Sequence, residues 1–260
     1  MIRNEFDLSE KLIILTGSEG FLAQNFIKAI LSYNGKLILI DKNKKKNYLN
    51  KNINFIKCNL SSEKDVKNAF LKIKKNFGDP DVLINNAALN PTTKEIKNNN
   101  FNLEQFSKKY WDKDLNNSLT SAFLCTKYFG SVPSKKNRCI INISSDLGLI
   151  APNQSIYENK NRKKLVKPVS YSVVKHGIIG LTKYTSTIWI KKNIRCNAVA
   201  FGGVFKNQDK SFVKKISRLI PMGRMAKEHE YNSTIIYLAS DASSYMNGAT
   251  IVVDGGRTAW

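Results

Sequence analysis

Acidic side chains are scarce in this chain: 20 Asp and Glu stand against 42 Lys and Arg, and only two histidines and four cysteines occur in 260 residues. His176 and His229 are far apart, and Cys58, Cys125, Cys139 and Cys196 form no C-x-x-C pair. That spacing suits neither a zinc site nor a dithiol redox site, so no metal is expected. Cys139 and Cys196 fall in apolar runs, where reduced, buried thiols are expected. No apolar run approaches about 18 residues, which argues against a membrane span. Met1 to Asp7 lack the apolar stretch of a signal peptide, and a cytoplasmic protein is expected.

The deficit of acids leaves a net charge of +22, which raises the question of nucleic acid. The distribution argues against it. Lysine greatly outnumbers arginine, and asparagine and isoleucine are abundant throughout, as an AT-rich coding sequence would produce. Lysines spread over every loop and helix give a diffuse positive surface rather than a groove with interleaved aromatics. Weak, salt-sensitive attraction to anions is the most that follows. A small-molecule substrate is expected instead, with neither nucleic acid nor membrane as partner.

What the chain does have is alternation. Short apolar, β-branched runs predict strands over 11–16, 36–40, 53–57, 81–85, 138–144, 193–199 and 250–253. Between them, helices are predicted over 21–33, 62–76, 103–129, 169–192 and 228–240. Ser62 with Asp65 makes a capping pair at one helix start, and Pro168 sits where another could begin. Such alternation implies an α/β fold, a doubly wound parallel sheet of about seven strands with helices on both faces. Leu12-Ile13-Ile14-Leu15 and Leu37-Ile38-Leu39-Ile40 are apolar throughout, as strands covered on both sides should be. No linker divides the chain, so residues 1–260 are expected to form one domain. The stretches 94–102, 152–167 and 205–220 are read as irregular, following strand ends on the carboxyl side, where open α/β sheets bind ligands.

Two local patterns carry chemistry. Tyr171 and Lys175 lie four apart in a predicted helix and so share a face. A free phenol titrates near about 10, and a nearby ammonium lowers that value, making the tyrosine usable as a general acid or base. Far upstream, Gly17, Gly20 and Ala23 follow the first strand at three-residue spacing. Small residues there allow a sharp turn, bring backbone N–H groups to a pyrophosphate and seat the helix on the strand. Asp41 ends the second strand about 20 residues past the turn, where a carboxylate accepts hydrogen bonds from the adenine ribose. It would repel a 2′-phosphate, as would Glu19, whereas Lys42, Lys44, Lys45 and Lys46 pull the other way. NAD is favoured, with NADP the alternative.

With these residues in place the chain resembles the short-chain dehydrogenase/reductase family over essentially its whole length. Thr16-Gly17-Ser18-Glu19-Gly20-Phe21-Leu22-Ala23 resembles its glycine motif, in the compact spacing typical of the extended branch. Asn85-Asn86-Ala87-Ala88 resembles the NNAG element, Asn142-Ile143-Ser144-Ser145 the strand of the catalytic serine, and Tyr171 with Lys175 the YxxxK pair. Asn197 to Gly202 resembles the segment beside the nicotinamide, and Leu238 to Gly256 the C-terminal strand with its lead-in. The resemblance implies a Rossmann-type fold and hydride transfer with Tyr171 as proton donor or acceptor. Lys175 would hold the nicotinamide ribose, and Ser145, aligned on S-x-x-G, would bond the substrate oxygen. Ser144 would face the other side of its strand. The implied cofactor contacts are Gly17, Ser18, Glu19, Gly20, Phe21, Leu22, Asp41, Asn59, Leu60, Asn86, Ala87, Ala88, Tyr171, Lys175, Gly202 and Val204. The resemblance also implies a homodimer or homotetramer, paired through 103–129 and 169–192 and through the last strand.

Three departures stand out. Residues 156–167 form a basic insertion between serine and tyrosine; Tyr157 lies near the usual spacing but is followed four residues on by Asn161, not lysine. Ser118 aligns with the helix asparagine of the family's tetrad, which puts its proton-relay water in doubt. Phe201 replaces the proline of a Pro-Gly turn, and Lys206 stands where a threonine is usual. The insertion is read as a solvated loop first and as an anion clamp through Arg162 second. Residues 148–158 and 167–184 are similar to short-chain dehydrogenases of bacterial surface-sugar pathways, including the legionaminic-acid type. A sugar or sugar nucleotide is the expected substrate, with 205–220 as its lid. The alternatives are a 3-oxoacyl-[acyl-carrier-protein] reductase and a non-catalytic dinucleotide-sensing regulator.

Overall fold

Seven strands build one sheet in which every pairing is parallel. They are β1 (Leu12–Thr16), β2 (Lys36–Asp41), β3 (Ile53–Lys57), β4 (Val82–Asn85), β5 (Arg138–Ser145), β6 (Ile194–Phe201) and β7 (Thr250–Val253). The computed structural model describes residues 4–44, 46–91, 95–96, 101–157 and 165–260. The order β3-β2-β1-β4-β5-β6-β7 reverses direction between β1 and β4, and such a switch point opens a crevice at the carboxyl ends of the strands. The Rossmann-type expectation holds, and strands lie within two residues of their predicted bounds.

Helices cover both faces because side chains alternate along each strand. On one side, α1 (Phe21–Ser32) and α7 (Asn232–Ala239) bury Phe26, Ile30, Ile235 and Leu238 against Leu15, Leu39 and Ile141. On the other, α2 (Glu63–Phe77) and α4 (Ser121–Ser131) bury Phe70, Ile73 and Phe129 against Ile14, Ile38 and Ile140. The remaining helices are α3 (Lys108–Leu115), α5 (Val169–Ile188) and α6 (Lys210–Ser217). Ser62 caps α2 by accepting from the Asp65 N–H, as predicted, and Pro168 stands at the N-cap of α5.

The predicted helix over 103–129 is instead four pieces. A 3-10 turn at Leu103–Gln105 ends in extended Phe106, Ser107 caps α3 by accepting from the Tyr110 N–H, and a π-helical turn at Asn116–Thr120 precedes α4. The polar run Asn116-Asn117-Ser118 explains the last break. Asn117 Nδ2 donates to the Lys113 carbonyl at 2.7 Å and Ser121 Oγ to that of Asn116 at 2.8 Å, competing with the regular ladder. The predicted helices over 169–192 and 228–240 hold over most of their length, with 3-10 turns at Ile190–Lys192 and Glu228–Tyr231. The stretch 205–220, read as irregular, contains α6. All four cysteines are free and buried. Among the described residues no helix is long and apolar enough to cross a membrane, and no group of three or more His, Cys, Asp and Glu is gathered as a metal would require.

Candidate active site

The expected functional residues collect along the carboxyl edge of the sheet. At the switch point the Thr16 hydroxyl donates to the Ile84 carbonyl and accepts from the N–H groups of Asn86 and Ala87. Asn86 Nδ2 donates in turn to the carbonyls of Thr16 and Gly17, at 3.0 and 3.2 Å. These bonds draw β4 so close to the turn that a Cβ on Gly17 would lie 2.7 Å from Ala87 Cα; Gly17 also has a φ of +64°. Glycine is required there on both counts. Behind the turn, a buried chain of amides runs from Asn85 to Asn142 at 2.8 Å and from Asn142 to Thr182 at 2.9 Å, tying β4 and β5 to α5.

The turn fits a dinucleotide phosphate. Helix α1 starts at Gly20 with no side-chain cap and no acid in its first turn, leaving amide donors and the positive end of the dipole for an anion. Ser18 is fully buried and its hydroxyl has no hydrogen-bond partner, an arrangement that calls for a further acceptor. Glu19, Phe21 and Leu22 flank it. Asp41 accepts from the Glu19 N–H at 3.1 Å, which fixes its carboxylate beside the turn. Of the opposing lysines, Lys46 donates to Gln24 and Lys44 lies over the Phe55 ring; Lys45 falls outside the described residues. Asn59 and Leu60 follow β3, with Asn59 accepting from the Ser61 N–H. Ala88 follows Ala87 at the end of β4.

Ser145, Tyr171 and Lys175 converge from β5 and α5, each less than a tenth exposed. Ser144 points away, as expected, and donates to the Lys175 carbonyl at 2.8 Å. The ammonium of Lys175 donates to the Ile143 carbonyl at 2.9 Å and lies 5.7 Å from the centre of the Tyr171 ring. Burial lowers its pKa to about 8, with Asp114 opposing. The lysine was expected to lower the phenol's pKa. Burial dominates instead and holds Tyr171 well above its ordinary value; Ser145 acts to lower it, and Asp146 and Asp114 to raise it.

Three residues missed by sequence reasoning complete the site. The Ser145 hydroxyl donates to Asp146 at 2.6 Å, and burial raises the pKa of that carboxyl. Asp114, wholly buried in α3, accepts from Ser170 at 2.6 Å and from Ser118 at 3.2 Å. Ser118 also accepts from the Leu89 N–H at 3.0 Å. Its single donor is thus committed to Asp114 and one lone pair of the oxygen remains, so a water in the asparagine's place would have to donate to Ser118. Lys167, read as part of a solvated loop, is 8 % exposed, and its ammonium lies 4.1 Å from the Tyr171 ring centre. The solvated reading fails for Leu165 to Lys167. Arg162 and the rest of 158–164 lie outside the described residues. A lysine before Pro168 carries no signal in so lysine-rich a run, whereas an aspartate inside a helix that must pack could have been singled out.

The far wall is formed after β6. A Cβ on Gly202 would lie 2.8 Å from Asp254 Cα, and Val204 bridges to Ala226. A cavity of ≈ 190 Å³ opens here between Gly202, Ile220, Tyr231 and Asp254. Phe201, in the proline's place, stacks on Tyr231 with ring centres 4.1 Å apart. Above, Phe212 of α6 meets the Tyr157 ring at 5.5 Å, and Lys215 donates to the Ser155 carbonyl.

Comparison with known proteins agrees with this fold. The family model described as enoyl-(acyl carrier protein) reductase matches residues 28–258. A 3-oxoacyl-[acyl-carrier-protein] reductase from Thermotoga maritima is 32 % identical over 206 residues, covering 76 % of this chain and 74 % of that protein. A 2-dehydro-3-deoxy-D-gluconate 5-dehydrogenase from Dickeya dadantii is 29 % identical over 272 residues, 98 % of each chain. Among solved structures, an NAD+-bound dehydrogenase from Leptospira borgpetersenii aligns with a TM-score of 0.85 at 24 % identity, covering 99 % of this chain and 97 % of that one.

Proposed function

Given that this chain belongs to the short-chain dehydrogenase/reductase family and is an NAD(P)-dependent oxidoreductase acting on CH–OH groups, we propose that it moves hydride to and from a carbonyl on a sugar or sugar nucleotide, with NAD as the preferred cofactor. The observation that carries the mechanism is the convergence of Ser145, Tyr171 and Lys175 at the same carboxyl edge of the sheet as the Gly17 turn. When bound, the nicotinamide supplies or accepts the hydride. Tyr171 gives its proton to the substrate oxygen, or takes it in the reverse direction. Ser145 releases Asp146 and donates to the same oxygen, stabilising charge that develops there. Lys175 holds the nicotinamide ribose and favours the phenolate once the positive ring adds to its charge. Gly17, Ser18, Gly20, Phe21 and Leu22 hold the pyrophosphate; Asp41 and Glu19 face the adenine ribose, with Asn59 and Leu60 beside the adenine. Asn86, Ala87, Ala88, Gly202 and Val204 line the nicotinamide end.

Support for a sugar comes from the relative that acts on 2-dehydro-3-deoxy-D-gluconate and from the similarity of 148–158 and 167–184 to surface-sugar dehydrogenases. The Thermotoga relative favours a second reading, reduction of a 3-oxoacyl thioester on an acidic carrier protein, for which the basic surface is suited. Screening hexoses, nucleotide sugars, sugar acids and acetoacetyl thioesters for hydride transfer separates the two, and thioester-only activity would overturn the first. We further propose one cytoplasmic domain that self-associates, with α6 and its flanks as a lid. Phe123 on α4, Tyr184 and Ile188 on α5 and Val252 on β7 are all exposed, which supports pairing through those elements; a monomer in light scattering would contradict it.

A further inference from the structure

Lys167 is an unusual lysine for so basic a protein, because it is folded inward while most of the others face water. Its backbone N–H is fixed by Gln154 Oε1 at 2.8 Å, and its ammonium donates to Asn90 Oδ1 at 2.6 Å. Asn90 comes from the loop after β4 and is itself exposed, so the ammonium lies just beneath the surface of the cleft. An ammonium carries three donors, and among the described residues Asn90 is its one hydrogen-bond acceptor and no carboxylate pairs with it. The charged groups around it are Asp114 from α3, Asp146 after β5 and Glu95, which favour the ammonium, and Lys175 from α5, which opposes it. Burial outweighs them and lowers its pKa to about 8. A buried cation so sparsely met among the described residues calls for an anionic partner.

We propose that Lys167 and Asn90 form a subsite for a small oxyanion, a carboxylate or a phosphate, carried by the substrate whose carbonyl meets Tyr171. The ammonium rests on the ring of that same tyrosine, so an anion held there lies within the span of one small molecule from the reacting oxygen. Charge-assisted bonds from Lys167 and the Asn90 amide fix that end of the molecule. This inference rests on the oxidoreductase reading and narrows its substrate to an acid or a phosphorylated compound.

The test measures binding to the NADH-loaded protein by calorimetry, using D-gluconate against D-glucitol and glucose 6-phosphate against glucose. At pH 7 a charged member binds at least about tenfold more tightly than its neutral partner, and comparing the two anions tells carboxylate from phosphate. Lys167→Gln abolishes the difference while leaving NADH affinity unchanged, and Lys167→Arg retains it. Anion affinity falls as pH rises through about 8, where the ammonium loses its proton. If Lys167→Gln does not fold, Asn90→Ala at an exposed position takes its place and weakens anion binding alone. Equal affinity within both pairs, no binding of either anion, or a preference that survives Lys167→Gln overturns the proposal. Hydride transfer confined to neutral polyols would sink the subsite and spare the oxidoreductase reading; Lys167-dependent anion binding without hydride transfer to any compound would sink that reading and, with it, the assignment of the anion to a substrate.

Discussion

If Asp41 sets the proposed preference for NADH, Asp41→Asn should leave a protein that scarcely distinguishes NADH from NADPH. The amide keeps an oxygen for the Glu19 N–H, which Asp41 accepts at 3.1 Å, so the turn keeps its shape and only the charge is lost. A hydrogen bond to a charged group contributes about 1.5–3 kcal/mol and a neutral one about 0.5–1.5 kcal/mol. Losing the charge assistance to the ribose hydroxyls therefore weakens NADH by about 1–2 kcal/mol, or roughly 5–30-fold. For NADPH the change also removes repulsion between the carboxylate and the 2′-phosphate. Asp41 is partly exposed, so that term is discounted for screening to about 1 kcal/mol. The ratio of the two affinities should move by roughly 30–150-fold in total. Quenching of intrinsic fluorescence, titrated with each reduced cofactor at fixed ionic strength, measures it directly. A wild-type preference for NADPH, or a ratio that stays within about threefold, would refute the reasoning from Asp41.

Tyr171→Phe should lower turnover of any accepted substrate by about 10²–10⁴-fold, with circular dichroism and NADH binding unchanged; near-normal turnover removes Tyr171 from the reaction. Lys175→Met should abolish turnover yet raise the melting temperature at pH 7 by a few degrees. Burial lowers this lysine from 10.5 to about 8, so the unfolded chain binds more protons between those values and stability rises with pH across that window. Below pH 8 the buried charge costs about 3 kcal/mol, offset by about 1 kcal/mol for the bond to Ile143; a variant less stable at pH 7 contradicts this account. Gly17→Ala places a side chain 2.7 Å from Ala87 Cα at a φ of +64°, and should lower the melting temperature by about 5–10 °C and lose NADH affinity in titration. Retained binding would mean that the turn does not hold the cofactor.

The fold was legible because parallel strands covered on both sides leave an unambiguous mark. Leu12 to Leu15 and Leu37 to Ile40 are apolar at every position, and no other arrangement buries both of their faces. The site was legible where chemistry fixes local spacing, as in Gly17 to Gly20 or Tyr171 to Lys175. It was opaque where a residue matters through distant neighbours. Lys167 became visible only when Asn90, 77 residues away, was seen at its ammonium. Asp114 needed Ser170, brought 56 residues closer by the packing of α3 on α5. The break at Asn116–Thr120 came from side chains competing with backbone carbonyls, which periodicity does not register. Helix α6 was missed because a solvated helix with Phe212, Val213 and Ile216 as its apolar positions is too short for a periodic pattern to stand out.

The contact between Tyr157 and Phe212 joins the stretch before α5 to the helix after β6, two parts of the chain that leave the sheet from neighbouring strands. Among the described residues the lower and upper lips of the cleft are thereby fastened to each other by two rings and the bond from Lys215 to Ser155. An aromatic pair of this kind is worth about 0.5–1.5 kcal/mol beyond its buried area, little more than thermal energy. The ring contact and the bond from the Lys215 ammonium both lie on the lips and involve none of the side chains of Ser145, Tyr171 and Lys175. Passage between the lips would require this contact to part, a step set by surface packing and separate from the chemistry beneath.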